Sequence, residues 1–328
     1  MPADRLIATP TEPATTSITE AVTAVIDGAL AAQVARENGI GLDQLTLAVE
    51  TYRAAGRAAL TQTDESTWQH VNLRFRDQTQ AEQLAAAYLA PQLEHLHDAG
   101  TIGAWWFLRK YPYWRLRINP GPDHREAKNA LTRVLYDLEY SGILTGWHPG
   151  IYEPERHAFG GDRGLAIAHR FQHTDSIGVL GHVTRTNPAL GRRELSMLLC
   201  TRLFSAAGLD LFEAGDTWDR IAALRPDPGS PEKIDTLARE LAALLTGAHH
   251  SVSVFAADRI LADAAPWARG FEQTGRQLLL AHDEGSLERG PRQVLAHLVI
   301  FHWNRLGLSV EAQAVLARAA RQALLPRD

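Results

Sequence analysis

The stretch AWWFLRKYPYWRLRIN, residues 104–119, decides how this chain is read. Tyr113–Asn119 alternates strictly, with Trp114, Leu116 and Ile118 on one side and Arg115, Arg117 and Asn119 on the other. That period of two is a half-buried strand. Ala104–Leu108 reads as its partner strand across the Lys110-Tyr111-Pro112 turn, and Pro120-Gly121-Pro122 ends the pair. The hairpin carries Arg109, Lys110, Arg115 and Arg117 and no acid. One reading is an exposed sheet face with snorkelling arginines. The other is a clamp for an anion or an amide oxygen, because a guanidinium presents fixed, forked donors.

Outward from the hairpin the same periods continue. Trp68–Arg76 alternates and is a strand, Thr79–Asp98 is an alanine- and leucine-rich helix, His124–Leu138 is a helix, and Gly146–Tyr152 is a short strand. The order β-α-β-β-α-β over 66–153 is the split βαβ arrangement. It predicts an α+β fold: a ferredoxin-like, four-stranded antiparallel sheet with two helices on one face.

Upstream, residues 1–16 read as a disordered tail. Residues 17–62 read as a helical extension, punctuated at Asn38-Gly39 and Gly41, with TQTDES (61–66) as a linker. Downstream, 154–328 reads as helical and packed on the sheet region as one unit. The predicted helices are Leu165–Thr184, Ala189–Ala207, Leu211–Leu224, Pro231–Leu245, Val252–His282, Gln293–Leu306 and Val310–Leu324. Asn187-Pro188, Ser230-Pro231 and Ser309 read as start signals, and Gly208 and Gly307 as stops.

Composition bounds the function. The 328 residues are enough for one large or two modest domains, and 45% hydrophobic with 22% charged residues is ordinary for a globular chain. The net charge of −5 argues against nucleic acid as a partner. The lone Cys200 forbids an internal disulfide and a cysteine-based zinc site. No apolar run is long enough to span a membrane, and the N-terminus lacks a signal-peptide core, so the expectation is a cytoplasmic protein. No phosphate-cradling loop, dinucleotide fingerprint or G-x-S-x-G elbow occurs. His169 and His173 share a helix face four residues apart, but no HExxH glutamate accompanies them, so the expectation is no metal.

Three further segments concentrate polar chemistry: GIYEPERHAFGG (150–161), FQHTDSIGVL (171–180) and FHWNRLGLS (301–309). In order with the hairpin they read W-W-F-L-R-K-Y-P-Y-W-R-L-R-I, I-Y-E-P-E-x-x-x-F-G-G, H-T-D-S-x-x-V-L and H-W-N-R-L-G. This ordered set, from about Trp68 to Leu308, resembles the C-terminal domain of the lantibiotic dehydratases, a region that also occurs alone in thiopeptide biosynthesis. The resemblance implies one of two activities. The domain in full-length dehydratases eliminates glutamate from glutamylated Ser or Thr. Stand-alone relatives act as pyridine synthases: they join two dehydroalanines of a modified precursor peptide by a formal aza-[4+2] cycloaddition, lose water and expel the leader peptide. A non-catalytic peptide-binding protein on the same fold is the third reading.

The chain's own helical segment, without a glutamylation domain, favours the stand-alone enzyme. So does the loop. The elimination family's pattern is approximately Glu-x-x-Arg-Tyr-Gly-Gly, whereas here Glu155 is followed by Arg156, His157, Ala158, Phe159 and two glycines. An alanine can neither stabilise an enolate nor donate a proton. Under the pyridine-synthase reading, Arg115 and Arg117 match the family's Arg-x-Arg strand and serve as amide-oxygen donors. Tyr152, Glu155, His173 and His302 are the candidate acids and bases. Trp105, Tyr111, Tyr113 and Trp114, with Asp175, Ser176, Asn304 and Arg305, are the expected substrate contacts, the aromatic ones, and Trp106 with them, stacking on azole rings. No metal or organic cofactor is implied. The expected partners are the leader-bearing, azole-modified precursor peptide and other enzymes of the pathway. The leader would be held by residues 1–60 or by strand addition to a sheet edge.

Overall fold

A computed structural model describes residues 18–65, 68–250, 255 and 261–325. The expected tail, residues 1–16, lies outside the described residues. The chain divides into two compact units, 1–64 and 65–328.

In the first unit, α1 (Ile18–Ile26), α2 (Ala31–Asn38) and α3 (Leu42–Glu65) gather around Ala21, Val22, Val34, Ala35, Leu45 and Val49. Gly39 ends α2 with φ +64°, as its position after Asn38 predicts. Gly28, at φ +107°, breaks the upstream stretch before the expected punctuation at Asn38-Gly39 and so separates α1 from α2. The expected linker from Thr61 is helical as far as Glu65, because TQTDE holds no glycine or proline to stop α3.

The second unit begins with the sheet. Strands β1 (Gln69–Phe75), β2 (Ala104–Lys110), β3 (Tyr113–Asn119) and β4 (Leu144–Gly150) lie in the order β2-β3-β1-β4, all antiparallel. This is the expected split βαβ sheet. Its helices are α4 (Ala81–Leu84), continued through a π-helical turn (Ala85–Leu89) into α5 (Ala90–Asp98), and α6 (His124–Tyr140). Asp123 caps α6, accepting from the N–H groups of Arg125 and Glu126. Leu73, Trp105, Phe107, Leu116 and Ile118 are wholly buried in one core with Leu93, Ala127 and Leu135.

The rest is helical: α7 (Gly161–Val183), α8 (Arg192–Ala206), α9 (Leu211–Ala223), α10 (Pro231–His250), α11 (Ala265–Asp283), α12 (Pro291–Leu306) and α13 (Val310–Leu324). Ser309 accepts from Ala312 N–H at 3.1 Å, and Gly307 ends α12 at φ +73°, both as expected. Several boundaries differ: α7 starts four residues early and α10 runs five residues past Leu245, and three further differences bear on the site or on the start signals. Asn187-Pro188 does not start α8, whose cap is Gly191. The long helix expected over 252–282 begins only at Ala265, where Pro266 occupies the first turn; most of 252–260 lies outside the described residues. β4 starts and stops two residues early, which releases Ile151 and Tyr152 from the sheet. No helix among the described residues is long and apolar enough to cross a membrane.

Candidate active site

Strand register builds the site. On the face away from α5 and α6, Trp106, Arg117, His70 and Gly150 form one cross-strand row, and Leu108, Arg115, Asn72 and His148 form the next. The chain leaving β4 folds back over the first row. His70 Nδ1 lies 2.9 Å from the Ile151 carbonyl and fixes that return. Tyr152 then covers Arg117, whose guanidinium carbon lies 4.8 Å from the Tyr152 ring and 4.4 Å from the Trp106 ring. The cation is only 3% exposed, and its Nε and Nη1 make no hydrogen bond. Burial pulls its pKa below the ordinary guanidinium value, while Tyr152 and Glu155 pull the other way and Arg115 and Arg305 add repulsion. A desolvated guanidinium held between two aromatic faces is a strong, pre-oriented donor for a substrate oxygen.

The Tyr152 hydroxyl lies 2.7 Å from Nε2 of His169, on α7. That imidazole rests on Trp68, centroids 4.5 Å apart. Burial, with the charges of Arg117 and Arg170, lowers its pKa to about 3. It is therefore neutral at physiological pH. With Nε2 protonated, the imidazole donates to the phenol oxygen. With Nε2 bare, it accepts the phenolic proton. Glu155 lies on the same loop, within electrostatic reach of Arg117, with Oε2 buried and without a hydrogen bond.

Gly160 and Gly161, at φ +82° and +85°, turn this loop into α7. A Cβ on Gly164 would sit 1.7 Å from the Phe159 carbonyl oxygen, so only glycine allows the loop to lie against the helix. Phe159 is buried and packs edge-on to Phe301. Arg156 is held by Asp162 and Glu288.

Other expected site residues occupy different surroundings. His173 Nδ1 lies 2.9 Å from the Trp105 carbonyl and 3.2 Å from its N–H, and Ser176 Oγ accepts from Phe107 N–H at 3.3 Å. Both side chains close the outer edge of β2. His302 is enclosed. Its Nδ1 is 2.8 Å from Asp175 and its Nε2 2.9 Å from Ser196, whose oxygen also accepts from Trp303. This Ser–His–Asp order looks like a nucleophile relay, but Ser196, His302 and Asp175 are all wholly buried. Asp175 also accepts from Trp267 Nε1 at 2.9 Å and Arg305 Nε at 2.7 Å. Burial would raise its carboxyl pKa, but His302 and Arg305 overcome that and hold it at about 2. Trp105 and Trp114 pack in the core under the sheet, the latter stacked on Phe107 at 4.6 Å. Tyr111 is 87% exposed at the hairpin tip, Tyr113 packs on His148, and Asn304 accepts from Gln313.

Trp68, His70 and His169 were missed as site residues, while Trp106, expected to stack on an azole, packs on Arg117 instead. Only the four-residue spacing of His169 and His173 pointed to one of the missed residues, as a metal pair that the missing HExxH glutamate argued against. The two rings bond in different directions, and among the described residues no three His, Cys, Asp or Glu side chains converge as metal ligands.

Similarity to known proteins agrees with this architecture. Solved structures similar to the chain include the tRNA-dependent lantibiotic dehydratase MibB from Microbispora sp. 107891, at 18% identity and TM-score 0.60, covering 78% of this chain. The chain spans only 28% of MibB. TsrL matches at 19% identity and TM-score 0.51, over 80% of this chain and 99% of its own. The pyridine synthase TbtD from thiomuracin biosynthesis matches at 14% identity and TM-score 0.51, over 78% and 97%. No curated protein sequence matches. The family described as lantibiotic biosynthesis dehydratase C-term matches residues 68–324, and the chain belongs to that family.

Proposed function

We propose that this protein is a pyridine synthase, acting on a leader-bearing, azole-modified precursor peptide with two dehydroalanines. One observation carries the choice over glutamate elimination: the loop sends no cation into the site. Ala158 stands where the elimination pattern has arginine, Phe159 is committed to the core against Phe301, and Arg156 is held by Asp162 and Glu288. The buried cation is Arg117, from the sheet.

In the reaction one backbone amide tautomerises to its imidic acid, giving a 2-azadiene with the adjoining dehydroalanine. Two C–C bonds form to the second dehydroalanine, one from the first dehydroalanine's methylene and one from the imidic-acid carbon. The former amide oxygen leaves as water, the leader leaves as its amide, and the ring becomes aromatic. Arg117, assisted by Arg115 from the open row, donates to the amide oxygen. Tyr152, backed by His169, delivers the proton that accompanies each departure, and Glu155 takes the proton from the amide nitrogen. Holding diene and dienophile together supplies the largest share, since orientation alone is worth roughly 7–11 kcal/mol.

Mass spectrometry of the purified protein with two peptides tests this. One carries a leader, azoles and two dehydroalanines; the other carries a leader and a glutamylated serine. A macrocycle lighter by one water, with free leader amide, is the expected product. Loss of glutamate from the second peptide instead would assign the elimination reaction, and binding without either product would assign a binding protein.

A further inference from the structure

Trp105 and Trp114 are packed away from the open face of the sheet, and a cleft along α7 offers further flat surfaces. His169, His173, Ile177 and Gly181 follow at four-residue steps on one stripe of α7, and Arg185 follows just past its end. His169 belongs to the site; the other four line a cleft of about 370 Å³ between this stripe and the start of α11. Small-molecule sites begin at about this size.

Its walls are aromatic and rigid. Trp267 is fixed by the bond from Nε1 to Asp175, and its ring lies directly on Gly178, where an added Cβ would come within 2.3 Å. His182 and His173 form the other flat surfaces, and their imidazoles supply polar groups. Arg185 closes the mouth by donating to the Asp263 carbonyl at 2.6 Å and pairing with its carboxylate at 3.2 Å.

Gly181 is the second observation. Glycine inside a helix costs stability. Trp267 explains that cost at Gly178. At Gly181 a Cβ would meet nothing within 4 Å, so packing gives no reason for glycine. What its missing side chain does is keep the cleft open.

We propose that this cleft is a substrate subsite taking a flat azole ring of the precursor peptide. The inference rests on the ring-forming function above, whose substrates carry such rings. The rise of α7 puts Gly181 about 18 Å from His169, the reach of roughly five or six extended residues. One peptide segment can therefore fill the cleft and present its dehydroalanine to Arg117. A ring nitrogen accepts from an imidazole N–H, and the ring faces meet the Trp267 and His182 walls.

Calorimetric titration with two synthetic tripeptide amides, one containing a thiazole and one a serine in its place, tests the subsite. The thiazole peptide should bind at least about tenfold more tightly. Gly181→Leu should abolish that preference, Gly181→Ala should reduce it, and Arg117→Lys should leave it intact. Equal affinity of the two peptides, or full preference retained in Gly181→Leu, overturns the proposal. Should Gly181→Leu not fold, the indole N–H resonance of Trp267 in the wild-type protein decides: the thiazole peptide must shift it, and no shift overturns the subsite. Thiazole preference without pyridine product rejects the assigned reaction and keeps the subsite. Pyridine formation with unchanged KM in Gly181→Leu rejects the subsite and keeps the reaction.

Discussion

At the scale of single residues the site turns on Arg117, Tyr152 and His169. Replacing Tyr152 with Phe keeps the ring over Arg117 and removes only the proton. Turnover by Tyr152→Phe should fall at least about 100-fold with KM little changed, read by product formation under saturating peptide. His169 gives a pH signature. Its folded pKa of about 3 lies below the ordinary value near 6.5, so the unfolded chain binds the extra proton between those values. The stability it contributes is complete above pH 6.5 and is lost as pH falls toward 3. Denaturant midpoints measured across that window should decline, and His169→Gln should decline less steeply. Arg117 was legible because alternation in WRLRIN puts it on a polar face. His169 was not, because its partners Trp68 and Tyr152 lie far away in sequence and only the fold brings them together. His302 misled for the same reason: a motif names residues near a site without saying which are enclosed.

At the scale of elements, α7 is the hinge of the design. It closes the β2 edge through His173 and Ser176, as strand edges must be closed somehow. Amide exchange at Trp105 and Phe107 should accelerate in His173→Ala and Ser176→Ala respectively, while amides paired within β3 stay protected. Element types were legible wherever period and punctuation agreed: β3 and α13 fall on the predicted bounds, and Ser309 and Gly307 mark the ends they promised. The errors lie where a local signal goes unused or where tertiary packing overrides the pattern. The π turn at Ala85–Leu89 sits where Pro91, two residues on, has no N–H to give the Ala87 carbonyl, a signal that the helical reading of 79–98 passed over. β4 ends at Gly150 although apolar alternation continues, because His70 captures the Ile151 carbonyl and turns the chain across the sheet.

At the scale of the molecule, one carboxylate ties the helical half together. Asp175 on α7 accepts from Trp267 on α11 and from Arg305 on α12, and His302 carries the link to Ser196 on α8. Removing it strands a buried guanidinium, so Asp175→Ala should cost about 3–5 kcal/mol in denaturant unfolding. No sequence pattern announced this network, since its members come from four helices. Its consequence is mechanical. α7 is pinned to β2 through His173 and Ser176 and clamped through Asp175, and His169 lies one turn ahead of these supports on the same helix. The imidazole therefore has no soft mode of its own: heat should extinguish turnover in the same cooperative step that melts the helices, with no earlier inactivation.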